Sequence, residues 1–223
     1  MAQEQSTSLT FAEEIMLLLL DDQSGRFEHL SGSTIRYALS GAVLMDLALL
    51  DRIDTDLNEL VLLDSTPLED QMFDPTLAAI KHAGQRHDAR YWVERIGDLS
   101  DDIRETALDR LVERGILERK EDRFLWVFRS RRYPLIGGKA EREVKQRIMG
   151  VLFSDEIPEP RDIVIICLAN ACGIFKKLLS PRELERASER IQQVRKLDLI
   201  GQAVSTAIWE IETSLATAII PYM

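Results

Sequence analysis

Within the nineteen residues Arg129–Arg147, RSRRYPLIGGKAEREVKQR, seven side chains are basic and two, Glu141 and Glu143, are acidic. The basic ones are Arg129, Arg131, Arg132, Lys139, Arg142, Lys145 and Arg147, in a chain whose net charge is −10. A basic stretch set in an acidic body suits an anionic partner drawn to one face only. Pro134 and the pair Gly137-Gly138 make a loop, and a helix is expected to open at about Lys139. A helix start preceded by glycines offers backbone N–H groups and the positive end of the macrodipole, the chemistry that holds a phosphate. At about 100° per residue, Lys139, Arg142 and Lys145 share one side, while Val144, Ile148, Val151 and Leu152 share the other. These three and Arg132 are the candidate anion-binding residues. A solvated helix face beside a charged loop accounts for the same pattern without a ligand.

No catalytic chemistry can be assembled from the rest. The three histidines, His29, His82 and His87, belong to no HExxH or Cys/His zinc spacing. There is no GxSxG, GxxxxGK[ST] or GxGxxG, and Gly137-Gly138-Lys139 matches only the tail of a phosphate loop. The pairs Glu13-Glu14, Asp21-Asp22 and Asp101-Asp102 fall at expected helix ends, where capping explains them. Cys167 and Cys172 are five positions apart on an apolar helix, so they read as core thiols of a reducing compartment. Neither an enzyme, nor a metal, nor a cofactor is expected.

The elements that must position these residues are mostly helices. A content of 45 % apolar and 30 % charged residues over 223 positions describes a globular chain with a sizeable core. MAQEQSTS (1–8) reads as a flexible N-terminus without the marks of a secretory signal, and 9–223 as one domain. The apolar runs Ile15–Leu20 and Ile163–Ala169 are far shorter than the roughly 20 residues a span needs, so membrane contact would be peripheral. Helices are expected at Leu9–Asp21 behind Thr10, Thr34–Leu50, from Asp74 as cap through Gln85, and at Arg90–Ile96. Others are expected from Ser100 as cap to Gly115, at Arg161–Leu179, after the capping box Ser180–Glu183, and at Gly201–Ile220. A short hairpin is expected at Arg52–Leu63. A second has a strand after Gly115, a turn at KEDR (120–123) and an apolar strand Phe124–Phe128. The class is mainly α: a single globular helical domain with two small β-hairpins and a central apolar helix at 161–179.

Helix 100–115 followed by a hairpin also outlines a winged helix. A helix that reads DNA should present basic side chains, yet Asp101, Asp102, Glu105, Asp109 and Glu113 outnumber Arg104, Arg110 and Arg114. Phe124, Leu125, Trp126, Val127 and Phe128 form an unbroken apolar run. Burial on both faces within the monomer accounts for it, as does one face turned to another subunit or to a lipid interface, where Trp is favoured.

Taken in order, LTFAEEIMLLLLDDQSG, GAVLMDLALLDRI, LVERGIL, FLWVF, YPL and the basic helix resemble the Golgi phosphoprotein family over nearly the whole chain. The resemblance implies a mainly helical domain in the cytoplasm, peripherally associated with membranes that carry phosphatidylinositol 4-phosphate. It implies self-association through the apolar hairpin, 116–128, with Phe124, Leu125, Trp126 and Phe128 as its contacts. It assigns the headgroup to basic residues near the start of the helix after the PL loop, which points to Arg142 and Lys139. Two departures mark a bacterial member with an altered headgroup site. RFEHLSGS (26–33) lacks the family tryptophan, and Ser40 stands where eukaryotic members carry arginine. The N-terminal arginines that meet the vesicle coat are missing too. The expected partners are therefore an anionic phospholipid surface and further copies of the chain, and nucleic acid is not expected.

Overall fold

The computed structural model describes residues 8–21, 26–27, 32–55, 59–124 and 128–218, the side chains of 121–124, 128–131, 212 and 215–218 left aside. The first helix, α1 (Phe11–Leu19), starts where the sequence places it. Thr10 Oγ1 accepts from Glu13 N at 3.2 Å, and Thr10 N donates to the Glu13 carboxylate at 2.6 Å. This reciprocal box satisfies two of the donors a helix start leaves open. Every residue of α1 is buried, the two glutamates included. Next come α2 (Gly32–Leu49), the hairpin β1 (Ile53–Thr55) and β2 (Leu60–Leu62), α3 (Asp74–His82) and α4 (Ala89–Ile96). A 3-10 turn (Gly97–Leu99) then leads into α5 (Ser100–Glu113).

The second hairpin follows α5, with β3 (Lys120–Phe124) antiparallel to β4 (Phe128–Arg132). The chain closes with α6 (Lys139–Leu152), α7 (Pro160–Ala171), α8 (Phe175–Leu178), α9 (Pro181–Arg195) and α10 (Leu199–Ala218). The architecture is mainly α, with two two-stranded sheets among the described residues. At the centre α2 and α7 pack against α10, and α1 closes over α2, α5 and α6. Gly41 permits one of these contacts, because a Cβ there would lie 2.9 Å from Leu168 and 3.0 Å from both Val204 and Ile208. Cys167 and Cys172 are free and buried.

Four expectations are corrected. The residues KEDR are strand, not turn: Lys120 pairs with Arg132 and Phe124 with Phe128, so the hairpin lies several residues later than its apolar run suggested. Leu125 and Trp126 lie outside the described residues, as does 1–7. The helix expected over 161–179 ends at Ala171 and resumes at Phe175, since Gly173 takes φ +66°, a left-handed conformation that stops a helix. Ser100 is not a cap, because the 3-10 turn runs straight into α5. Asp74 does not cap either. Its carboxylate accepts from Leu68 N at 2.7 Å and Asp70 N at 3.2 Å, tying down the loop before α3.

Candidate functional site

The basic segment is held by an extension of the second hairpin. Glu118 N donates to Pro134 O at 2.9 Å, Ile136 N to Ile116 O at 2.8 Å, and Leu117 bridges to Leu135. Tyr133 is buried beneath them. The chain then turns through Gly137 (φ +70°) and Gly138 (φ +58°), both in the left-handed region, and α6 begins. No side chain caps it. Arg142 folds back over this start, its Nη2 donating to Gly137 O at 2.8 Å. A Cβ on Gly138 would come within 3.0 Å of Arg142 Nη1, so that glycine supplies both the φ and the room. The exposed Arg142 has no carboxylate partner among the described residues, and one edge of its guanidinium is already fixed in place.

The other cations of the segment separate in the fold. Lys139 is 84 % exposed and stands 3.6 Å from Glu143, too loose and too wet a pair to hold it. Lys145 is paired with Glu141, whose carboxyl is buried, so its charge is largely compensated. Arg132 is half-buried at the end of β4, opposite Lys120. Arg147 points inward. It lies 2.9 Å from Glu14 and 2.6 Å from Asp162, and both carboxylates are nearly fully buried. Of the four residues put forward, the structure brings Lys139 and Arg142 together at the open helix start and commits Lys145 to a carboxylate.

Arg147 belongs to a buried ionic cluster between α1, α2, α6 and α7. Arg161 lies 3.3 Å from Glu14 and donates to Leu9 O. Arg114 lies 3.8 Å from Glu13. Asp46 accepts from Phe11 N at 2.9 Å. Burial pushes the Asp46 carboxyl up to about 8, against the pull of the Phe11 N–H and Arg161. Burial likewise raises Glu13. Burial works against the charge on Arg147, but Glu14 and then Asp162 outweigh it and hold the guanidinium above its ordinary range. The cluster joins four helices, and its carboxylates, Glu13, Glu14, Asp46 and Asp162, are buried.

A second cation escaped the sequence reading. Arg104, half-buried on α5, lies over the ring of Phe27 at 4.8 Å, and Phe27 in turn packs against Tyr133 at 5.9 Å. Arg104 has no ion pair among the described residues, and its Nε is buried without a hydrogen-bond partner. Phe27 belongs to the 26–33 segment, where the family resemblance expects an aromatic, and α5 packs against α2, which carries Ser40. Ser40 itself is fully buried, its hydroxyl donating to Arg36 O at 2.9 Å, so no cation occupies that place. The signal in the sequence was faint, because Arg104 sits among the acidic residues of α5.

Those same acidic residues weigh against the winged-helix reading. Asp101, Asp102, Glu105, Asp109 and Glu113 are exposed, while Arg110 is bound to Asp70 at 2.5 Å. Arg114 donates to Ser8 O and faces Glu13. A duplex approaching α5 would meet carboxylates. Among the described residues no His, Cys, Asp and Glu cluster could hold a metal ion. No described helix is long and apolar enough to cross a membrane.

Comparison with known proteins gives a family match and distant relatives. The model of the family described as Golgi phosphoprotein 3 (GPP34) matches residues 11–211. Vacuolar protein sorting-associated protein 74 of Eremothecium gossypii is 24 % identical in an alignment covering 85 % of this chain and 67 % of the relative. The protein of the same name from Schizosaccharomyces pombe is 24 % identical, covering 87 % and 67 % respectively.

Proposed function

We propose, from the premise that the chain belongs to the Golgi phosphoprotein 3 (GPP34) family, that it is a non-enzymatic adaptor docking peripherally on anionic phospholipid headgroups. The observation that carries this reading is Arg142. It is an exposed cation with no carboxylate partner among the described residues, tethered over a helix start that no side chain caps. A phosphate there would meet backbone N–H groups, the positive end of α6, Arg142 and Lys139. The family resemblance makes a phosphatidylinositol 4-phosphate-like headgroup the first candidate. Arg104 beside Phe27 offers a second cation for the same kind of ligand, with Ser40 in place of the family arginine. The vacuolar protein sorting for which the relatives are named fits a protein that meets an anionic surface through a few exposed cations on an acidic body.

Flotation with anionic vesicles tests the reading. Each basic residue near an anionic surface contributes about 1 kcal/mol. The double change Lys139→Glu, Arg142→Glu should therefore cost about 2 kcal/mol from the lost attractions alone, on the order of thirtyfold in affinity. Neither side chain is part of the core, so the melting temperature should hold. Binding should also weaken as salt rises. If Arg104→Glu abolishes binding while the double variant floats normally, the headgroup lies at α5 and the α6 placement is wrong. If wild type ignores anionic vesicles, the lipid reading itself fails.

A further inference from the structure

A crevice of about 270 Å³ lies between α7, α9 and α10, remote in sequence from the basic segment. Its walls are Asn170 and Ala171 from the end of α7, Arg195 from the end of α9, and Ser205, Thr206 and Trp209 from α10. Trp209 is 61 % exposed, a large aromatic ring left at the mouth of a crevice of mixed polar and apolar lining. We propose that this crevice binds a small planar carboxylate, with Arg195 as its cation and the Trp209 ring as its platform.

Three observations converge on this. Arg195 has no ion pair among the described residues, and its Nε is buried without a hydrogen-bond partner. A cation in the last turn of α9 complements that helix's dipole, which accounts for a positive charge there but not for a donor shut away from water and left unused. The carboxylate nearest in sequence, Asp198, is spent on the Gly201 N–H at 2.5 Å. Second, neither the Asn170 amide nor the Thr206 hydroxyl appears in any side-chain hydrogen bond among the described residues, so both can turn to a ligand. Ser205 differs, since its hydroxyl already donates to Gln202 O at 3.2 Å. Third, one guanidinium matches one carboxylate in charge and in fork geometry, whereas a phosphate dianion would be left half-neutralised. The volume suits a ring bearing one acidic group, and the indole face gives that ring something to lie on.

The test uses the full chain labelled with nitrogen-15, following the Trp209 indole N–H as benzoate is added. The resonance is assigned by its loss in Trp209→Phe. A saturable shift is expected with a dissociation constant on the order of 1 mM. Arg195→Met should weaken it at least about tenfold, with Arg195→Lys intermediate. Benzyl alcohol, which has the ring without the charge, should give no saturable response. Inorganic phosphate should bind more weakly than benzoate. No saturation by benzoate, or an equal response to benzyl alcohol, overturns the proposal. So does unchanged affinity in a folded Arg195→Met variant. Should Arg195→Met fail to fold, the comparison of benzoate with benzyl alcohol on wild type decides alone.

Discussion

Arg142 and Arg147 are the same residue type five positions apart on α6, and the fold gives them opposite roles. Arg142 is left at the surface over an open helix start, while Arg147 is consumed by Glu14 and Asp162. Nothing local distinguishes them, because the carboxylates that decide the matter come from α1 and α7. The same cluster makes a prediction about pH. Asp46, raised from its ordinary 3.8 to about 8, binds its proton more tightly folded than unfolded. Its contribution is fully present below about pH 4 and is lost as pH rises toward the folded value, on the order of 1 kcal/mol per pH unit. Asp46→Asn removes this dependence while its side-chain oxygen can still accept from Phe11 N. The stability of the variant relative to wild type, from urea unfolding, should therefore increase between about pH 4 and pH 8. A difference that stays flat with pH would show that Asp46 is charged in the native protein.

At the scale of elements, capping residues were legible only where the chain really begins a helix afresh. Ser180 and Glu183 form the reciprocal box that the sequence spelled out, and Pro181 starts α9. Ser100, with the same residue type before an apolar run, lies inside a continuous turn of helix. The two serines should respond differently. Ser180→Ala should cost about 1 kcal/mol in urea unfolding. Ser100→Ala should change stability by less than about 0.5 kcal/mol. Comparable losses at both positions would contradict this assignment of caps. The shift of the second hairpin has a related cause: five apolar residues in a row suggested a strand, but strand pairing rewards register between two strands, not the hydrophobicity of one.

For the molecule as a whole, β3 and β4 pack chiefly on each other, while the helices form the core without them. The apolar run 124–128 begins and ends on the strand pair Phe124–Phe128, and its middle, 125–127, lies outside the described residues. We propose that it serves self-association. Trp126→Glu should then lower the particle mass in light scattering while the helical circular dichroism signal remains. Loss of the helical signal would place this run in the monomer core, and an unchanged mass would leave association to another surface.

The sequence by itself determined the class, the positions of nearly all the helices, both hairpins in outline, and the opening of α6 at Lys139. These follow from periodicity, capping chemistry and the reach of Gly137-Gly138, all of which act within a few residues. It also identified Cys167 and Cys172 as buried thiols, because the apolar stretch that carries both must be covered by the core. Only the tertiary structure decided which charges are available. Among the described residues, Arg147 and Lys145 met carboxylates, Arg142 did not, and Arg104 was left over Phe27 without a counter-charge. Charge is counted along a chain, but it is neutralised across space. The partners of a cation depend on which helices the core brings together, and that is settled by packing far from the cation itself.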